Sequence, residues 1–352
     1  MLAEVHRRAG ARFVEEDGWL VPRDYGDATA EHRALHEGAA LVDRSMLGKV
    51  VVTGRDRHAF LQGMLSNDVK ALAAGQGAEA AFLDAHGKVM ALLGVYALED
   101  RLWLELPPGL TDRTLTRLDH FLISEKVVFE PADRTFAIVA VQGPGAPDTL
   151  ARLAGRALDL GPRAHVEAEI AGRPVRIANR PEGAGPGFHC WTAPGDAEAV
   201  WAAVAGAGAR PVGLGALDTY RVESGVPWYG RDVDEAQILP ETGLEGLVSY
   251  TKGCYIGQEV VARVKYRGHV NRALSGLVVE GAVVPERGSR LVAGGKDVGW
   301  ITSAARSPVL GRVVALGYVR REHLADGTAL TVGAAGGVAE ARVVRLPLPG
   351  AA

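Results

Sequence analysis

Cysteine is scarce in this chain of 352 residues, which contains Cys190 and Cys254 and no other. Two thiols can form neither a disulfide framework nor a four-thiolate metal cage, so we expect a reducing environment. No uncharged apolar run reaches the roughly 18 residues that a membrane span needs. The first residues also lack the apolar core of a secretory signal. We therefore expect a cytoplasmic protein without membrane association.

An excess of positive charge is also absent. The chain has 39 Lys and Arg against 42 Asp and Glu, which gives a formal net charge of -3. Duplex-DNA binders usually carry a strongly basic surface, so general DNA binding is excluded, whereas a local basic site is not. With 47% hydrophobic and 23% charged residues, the composition also excludes wholesale disorder. We take a monomer as the default.

Two patterns divide the chain. Apolar residues recur at helical spacing in 55–65, 109–122 and 213–224, and strand-like runs lie between these segments. From residue 271 onward, short β-like runs are separated by Gly and Pro turns, which is typical of a small barrel. We predict an α+β fold with three regions: two interleaved α+β subdomains over 1–250, a loop, helix and basic strand over 251–270, and an antiparallel β-barrel over 271–348.

Cys254 is the first candidate for chemistry. It lies at the entry to a predicted helix from Tyr255 to Arg263, with Lys252 two residues before it. A helix N-terminus and a nearby cation both favour the thiolate, so a lowered thiol pKa is expected. The alternative is a buried structural cysteine, which is common for a lone thiol.

Basic residues follow directly at Arg263, Lys265, Arg267 and His269. In a strand, this period-two spacing places all four on one face. Such a face suits carboxylates, phosphates or a nucleic-acid backbone. The alternative is a solvated strand face without a ligand.

Glu223 is a further candidate, near the end of the predicted helix 213–224. A carboxylate there opposes the negative end of the helix dipole, which is unfavourable without compensation. It would suit a ligand with paired N–H donors, such as a pterin ring, or a salt bridge with an arginine. Asn67 and Asp68 follow the end of another predicted helix, where capping is the alternative role.

No metal site is predicted. The ten histidines show no metal-ligand spacing in our interpretation, and His189 and Cys190 point to opposite faces of a strand. We therefore expect no stable metal.

The segment KGCYIGQEVVAR (252–263) resembles the signature of the YgfZ family, which is related to the T-protein (aminomethyltransferase) of the glycine cleavage system. FLQGMLSNDVKAL (60–72), FLDAHGKVMA (82–91) and RVESGVPWYGRDVDE (221–235) are similar to other segments of that family. The resemblance implies a T-protein-like cloverleaf of mixed α/β domains around a central channel, with a GcvT-like folate-binding region over 1–250.

The resemblance also implies a cofactor, tetrahydrofolate or a derivative. Glu223 matches the glutamate that grips the pterin ring in T-proteins, and Tyr229 matches a tyrosine of the same segment. The residues assigned to folate binding are Glu223, Asn67, Asp68, Val69, Tyr229 and Arg263. Cys254 and Lys252 are assigned as the reactive pair.

One departure concerns the strand after the hairpin turn. T-proteins carry acidic residues there, whereas this chain has Ala91 and Leu92. Neither side chain can orient an amine or stabilise developing charge. Aminomethyl transfer of the T-protein type is therefore not expected, and whether the protein is an enzyme stays open.

The predicted function is that of a YgfZ-type protein that binds folate and supports iron–sulfur cluster assembly or repair, including enzymes of tRNA modification. Its partners would then be folate and iron–sulfur enzymes or assembly factors. The alternative is a folate-dependent one-carbon transferase, either an aminomethyltransferase or a demethylase. A third interpretation is a scaffold that contacts RNA through Arg263, Lys265 and Arg267.

Overall fold

The computed structural model of the protein describes residues 1–334 and 337–348. Its α-helices are α1 (Ala3–Arg8), α2 (Ala28–Glu37), α3 (Arg57–Met64), α4 (Thr111–Asp119), α5 (Ala146–Ala154), α6 (Ala197–Gly206), α7 (Leu214–Glu223) and α8 (Gln258–Arg267). The strands before the last helix are β1 (Arg12–Glu16), β2 (Trp19–Asp24), β3 (Ala40–Asp43), β4 (Gly48–Thr53), β5 (Gly77–Leu83), β6 (Val89–Ala97), β7 (Leu102–Leu106), β8 (Val128–Pro131), β9 (Ala137–Gln142), β10 (His165–Ile170), β11 (Arg173–Asn179), β12 (Gly187–Thr192) and β13 (Arg210–Pro211). The strands after it are β14 (Arg272–Val279), β15 (Arg290–Ala293), β16 (Lys296–Arg306), β17 (Val313–Arg320), β18 (Ala329–Ala334) and β19 (Gly337–Val344).

A five-stranded antiparallel sheet has the order β5-β6-β7-β4-β8. Ala91 and Leu93 of β6 are buried, whereas Leu92 between them is only half-buried. Because successive side chains of a strand point to opposite faces, one face of β6 joins the hydrophobic core and the other faces away from it. Helices α3 and α4 cover the core face with Phe60 and other apolar residues.

The second sheet has the order β10-β11-β12-β9-β3-β13. Every residue of β9 and β12 is buried. Central strands that are covered on both faces carry continuous apolar runs rather than alternating ones. Helices α5 and α6 contribute Leu150, Val200 and Trp201 to the core on one side of this sheet.

Helix α7 connects the N-terminal part of the protein with the C-terminal strands, and its side chain Arg221 makes the connection. Arg221 is fully buried and donates hydrogen bonds to Asp232 Oδ2 (2.5 Å) and to Ser303 Oγ on β16 (2.7 Å). Gly225 then takes a φ of 72°, a conformation that L side chains rarely adopt, so the chain leaves the helix sharply there. The segment 225–231, named here the α7 loop, follows.

The C-terminal strands form a closed barrel in the order β14-β17-β16-β15-β18-β19. Leu277, Leu291 and Val313 are among the residues of its own hydrophobic core. The predicted α+β class and the predicted C-terminal antiparallel barrel are both confirmed. None of the described helices is both long and apolar enough to cross a membrane.

The predicted helices 55–65, 109–122 and 213–224 are confirmed as α3, α4 and α7. The basic strand predicted within 251–270 is wrong, because helix α8 continues through Arg267. Alternating charges over Arg263–Arg267 suggested a strand, but Val261 of the same segment is buried against an apolar cluster, and helical spacing serves that contact. Arg263, Lys265 and Arg267 therefore lie on a helix, exposed, rather than on one face of a strand.

Candidate active site

A cavity of about 650 Å³ lies where the five-stranded sheet, the segment after β11 and the α7 loop meet. Its apolar and aromatic wall includes Met46, Leu47, Leu92, Leu93, Leu106, Val226, Trp228, Tyr229, Leu244 and Leu247. Its charged floor includes Arg44, Glu79, Glu105, Arg163, Arg180 and Glu182. A cavity of this size with mixed walls is typical of a site for a small molecule.

Strand β6 contributes apolar side chains to the cavity wall, at the position where the resemblance implies acids in T-proteins. Leu92 lines the cavity, whereas Ala91 is fully buried in the core of the sheet. Position 92 is therefore the one of the two that faces a ligand, and it carries an alkyl side chain.

Gly94 lies two residues after Leu92, on the same face of β6, and a carboxylate flanks it on each side. Gly94 pairs with Glu79 of β5 on one side and with Glu105 of β7 on the other. Arg180 bridges the two acids, with 2.9 Å from Nη1 to Glu79 Oε1 and 2.9 Å from Nε to Glu105 Oε1. The side chain of Glu79 is 32% exposed and that of Glu105 is 2% exposed, so Glu79 is the carboxylate that a ligand can reach.

His189 of β12 continues this charged network below the cavity. Its Nδ1 lies 2.8 Å from Glu105 Oε2, and its Nε2 lies 3.1 Å from Glu182 Oε1. Arg44 completes the network with 2.9 Å from Nη2 to Glu182 Oε2. We call the six side chains the floor network: Arg44, Glu79, Glu105, Arg180, Glu182 and His189.

The floor network fixes the charge of its members. Burial alone would raise the pKa of Glu182, but Arg44 and the His189 hydrogen bond lower it to about 2. His189 and Arg180 hold the pKa of Glu105 well below its usual range in spite of burial. Burial opposes the charging of His189, yet Glu105 and Glu182 raise its pKa. Both carboxylates therefore stay ionised beneath the cavity, next to guanidinium and imidazole groups.

Trp228 of the α7 loop lines the cavity, and the guanidinium groups of three arginines lie near its ring. The guanidinium carbons of Arg221, Arg44 and Arg231 lie 4.6, 5.2 and 5.4 Å from its ring centre. Cations over an aromatic face are attracted by the ring quadrupole, which holds the indole in place. Tyr229 follows it, and its hydroxyl donates to Met90 O at 2.8 Å.

Tyr229 is the one residue of the predicted folate set that lines the cavity as the structure describes it. Asn67, Asp68 and Val69 lie after α3, and Val69 is fully buried. The Asn67 amide donates to Glu79 O at 2.8 Å, so this segment supports the strand that carries Glu79. Arg263 is exposed on α8.

Lys252 caps the end of α3. Its ammonium donates to Gln62 O (2.6 Å), Leu65 O and Asn67 O (2.9 Å), which are carbonyls left free at the helix end. Burial lowers the pKa of Lys252 to about 8.

Cys254 is exposed, and helix α8 begins at Gln258, four residues later. The helix therefore starts later than predicted, and Cys254 does not occupy its first turn. Cys190, by contrast, is buried in the core beside His189, and burial raises the pKa of its thiol to about 12.

Glu223 lies outside the described lining of the cavity, at the C-terminal end of α7. It is fully buried, and its Oε2 lies 2.9 Å from His32 Nε2 and 2.9 Å from His36 Nε2. Burial would raise the pKa of Glu223, but the hydrogen bonds from His32 and His36 lower it to about 2. Among the described residues its ion-pair partners are these two imidazoles and not an arginine, and the assignment of Glu223 to the pterin ring stays a prediction.

Sequence reasoning did not identify the floor network or the two histidines beside Glu223. Two signals were present. Glu105 is a lone charge inside the apolar run LWLEL, and His32 and His36 are four residues apart, a spacing that places both on one face of a helix. The prediction that the histidines lack metal-ligand spacing overlooked this pair, and the expectation of no stable metal stays a prediction.

Comparison with known proteins identifies the family. The model described as the GCVT N-terminal domain matches residues 2–252, and that of the glycine cleavage T-protein C-terminal barrel domain matches residues 272–348. An aminomethyltransferase of Streptomyces avermitilis is 34% identical over 341 residues, which is 93% of this chain and 91% of the relative. An aminomethyltransferase of Thermus thermophilus is 34% identical over 330 residues, which is 93% of this chain and 92% of the relative.

A solved structure matches as well. The glycine cleavage system aminomethyltransferase T of Bartonella henselae superposes with a TM-score of 0.90 at 25% identity, covering 98% of this chain and 96% of that one. These matches confirm the T-protein part of the resemblance and contain nothing specific to the YgfZ family. Over nearly its whole length, the chain belongs to the glycine cleavage T-protein family.

Proposed function

We propose that this protein binds a reduced folate in the cavity and transfers a one-carbon unit to or from it. The observation that carries the proposal is the cavity itself, with an apolar and aromatic wall opposite a floor of ionised carboxylates and arginines. The relatives described above are named aminomethyltransferase, which favours one-carbon transfer over the iron–sulfur interpretation.

The two sides of the cavity suit the two kinds of surface on a folate. A pterin ring is flat and carries adjacent N–H donors along one edge, which pair well with a carboxylate. Glu79 is the accessible carboxylate of the floor, and Trp228 and Tyr229 offer rings beside it. In this arrangement Glu79, rather than Glu223, receives the pterin edge.

Leu92 sets a limit on the chemistry. An alkyl side chain at this place cannot pair with a substrate amine, so the reaction does not use an acid at position 92. Glu79 lies diagonally across from Leu92 on the same face of the sheet, because Ala81 pairs with Leu92 and Glu79 pairs with Gly94. The carboxylate nearest to a one-carbon donor would then come from β5.

The binding test is a titration of the purified protein with tetrahydrofolate. We expect saturable binding by the wild type, binding at least about tenfold weaker for Glu79→Gln, and no change for Glu130→Gln. Glu130 is exposed on β8 of the same sheet and is absent from the described cavity lining, so it is the matched control. No saturable binding by the wild type would contradict the proposal.

A Glu223→Gln variant separates the two carboxylates. If Glu223 grips the pterin as the resemblance implies, this variant loses binding and Glu79→Gln keeps it. Product formation is measured separately, as methylenetetrahydrofolate, ammonia and free thiol released from tetrahydrofolate and an S-aminomethyl thioether donor, whose carbon is already at the oxidation level of formaldehyde so that no oxidant is needed. Binding without product from any donor would leave a folate-binding protein and remove the transferase part of the proposal.

A second candidate function rests on the exposed thiol of Cys254 in the KGCYIGQE segment. A thiolate can ligate or trap iron and sulfur species, as in the predicted support of iron–sulfur enzymes. In cells that lack the protein, Cys254→Ser should then fail to restore iron–sulfur enzyme activity, while Cys190→Ser restores it. Equal rescue by Cys254→Ser and wild type would eliminate this candidate.

A further inference from the structure

A second cluster of potential ligands lies outside the described cavity lining. His32 and His36 project from one face of α2, and Glu223 meets them from the end of α7. One donor atom from each residue lies within 4.8 Å of the other two. His32 and Glu223 are buried, and His36 is 12% exposed, so one side of the cluster is open to solvent.

The separations suit a shared ion. Each Nε2 lies 2.9 Å from the same carboxylate oxygen. Tetrahedral zinc binds imidazole nitrogen and carboxylate oxygen at about 2.0–2.2 Å, which places neighbouring ligand atoms roughly 3.4 Å apart. The donors therefore lie within about half an ångström of the separation that coordination requires, a difference that side-chain rotation can supply.

The charge of the cluster also favours a bound metal ion. Glu105, Glu182 and Asp232 are buried carboxylates that each contact an arginine. Among the described residues, the ion-pair partners of Glu223 are the two histidines alone. Buried charges are usually paired with an opposite charge or bind a metal, and no arginine or lysine pairs with this carboxylate among the described residues.

The carboxylate also has an unused donor atom. Glu223 Oε1 is buried and has no partner at hydrogen-bond geometry, although the Ser307 side chain also faces this group. A second carboxylate oxygen can join a metal that the first one binds. His32 Nδ1 is also without a partner, but it would be so in a hydrogen-bonded cluster and in a metal site alike, so it does not distinguish them.

We propose that His32, His36 and Glu223 bind one divalent transition-metal ion, with zinc as the best chemical match. Two imidazoles and one carboxylate form a donor set that suits zinc and its first-row neighbours better than magnesium or calcium. The ion holds α2 against the end of α7 and thereby fixes the start of the α7 loop. Its role is structural, because the cluster lies outside the described cavity lining.

The test uses the full chain after removal of metal with a chelator. Cobalt(II) is the probe, since its visible absorption reports coordination, and zinc is then added as a competitor. We expect one Co²⁺ per chain for the wild type and for His86→Gln, and binding at least about tenfold weaker for His36→Gln. His86 is an exposed histidine of the β5–β6 turn, so its replacement controls for adventitious binding.

Glu223→Gln is the second variant, because it keeps the size of the side chain and its capacity to accept hydrogen bonds. Zinc should raise the thermal midpoint of the wild type and leave that of both cluster variants unchanged. Equal cobalt binding by wild type and a folded cluster variant would overturn the proposal. Absence of binding by the wild type would show that the cluster is held by hydrogen bonds alone, and it would overturn the proposal without affecting folate binding.

Discussion

The two buried charged clusters of this protein neutralise their carboxylates in different ways. The floor network pairs Glu79, Glu105 and Glu182 with arginines, which keep their charge at any accessible pH. The cluster around Glu223 uses His32 and His36, which can lose a proton or exchange it for a metal ion. The first arrangement fixes a charge pattern beneath the cavity, and the second can respond to pH and to metals.

The largest effect should come from removing an acid of the floor network. Glu105→Ala removes the carboxylate shared by the buried His189 and the partly exposed Arg180, each of which keeps one other acidic partner, so it should cost about 3 kcal/mol or more of the free energy of unfolding. Urea unfolding of wild type and variant measures this difference. Glu130→Ala, on the same sheet but exposed, should leave the midpoint unchanged, and a similar loss in both variants would contradict the role of the network.

Acid should remove the stabilisation that the same network provides. The pKa of Glu182 is about 2 in the folded protein, below the value of about 4.3 for an unperturbed Glu, so it stabilises the fold by roughly 3 kcal/mol above the unfolded value. That contribution is lost as the pH falls from about 5 toward 2. The stability difference between wild type and Glu182→Gln should therefore shrink over this range, and a constant difference would contradict it.

The contribution of His189 to stability should show the opposite dependence on pH. Its pKa is raised in the folded protein, so its stabilising contribution is complete below the unfolded value of about 6.5 and is lost as the pH rises through the folded value. The stability difference between wild type and His189→Gln should decrease from about pH 6 upward. An increase over that range would show that His189 is neutral in the fold.

A smaller effect is expected at the histidine cluster. In metal-free protein, Glu223→Gln should cost about 1–3 kcal/mol, because the hydrogen bonds to the two imidazoles are weakened while the side chain keeps its size and can still accept them. Unfolding in the presence of a chelator measures this cost. A loss as large as that of Glu105→Ala would remove the contrast between the clusters.

The smallest effect on stability is expected for an ion pair on the surface. Lys265 on α8 pairs with Glu245, and both side chains are well exposed to solvent. Lys265→Ala should leave the unfolding midpoint unchanged, since exposed ion pairs contribute little. A clear loss would show that α8 depends on this pair rather than on the burial of Val261.

The elements that depend on the local pattern of residues could be predicted from the sequence. The helix before Glu223 and the C-terminal barrel follow from apolar spacing and turn residues, and both are present. The prediction of a basic strand failed because it rested on the alternating charges from Arg263 onward and took no account of the buried contact of Val261. Local preference for helix or strand decides little where a tertiary contact requires one of the two spacings, helical or alternating, of the buried side chains.

The charged residues of the cavity were harder to foresee. Glu79, Glu105 and His189 come from three strands of two sheets, and only the strand register brings them together. The resemblance to T-proteins drew attention to Glu223, which the structure places with His32 and His36 instead of on the described cavity wall. The sequence signal was a lone charge, Glu105, for one cluster and a pair of histidines four residues apart for the other, and each signal gains meaning only from a partner far along the chain.

The buried guanidinium of Arg221 has a consequence for how the molecule can be divided. One side chain joins α7, the segment that carries Asp232 and strand β16 of the barrel. Cutting the chain before the barrel would remove Thr302, one of the three hydrogen-bond partners of Asp232, and Ser303, the barrel partner of Arg221. The barrel is thus no detachable module, and an N-terminal fragment that ends before Arg272 should be insoluble or unfolded even though its two sheets are complete.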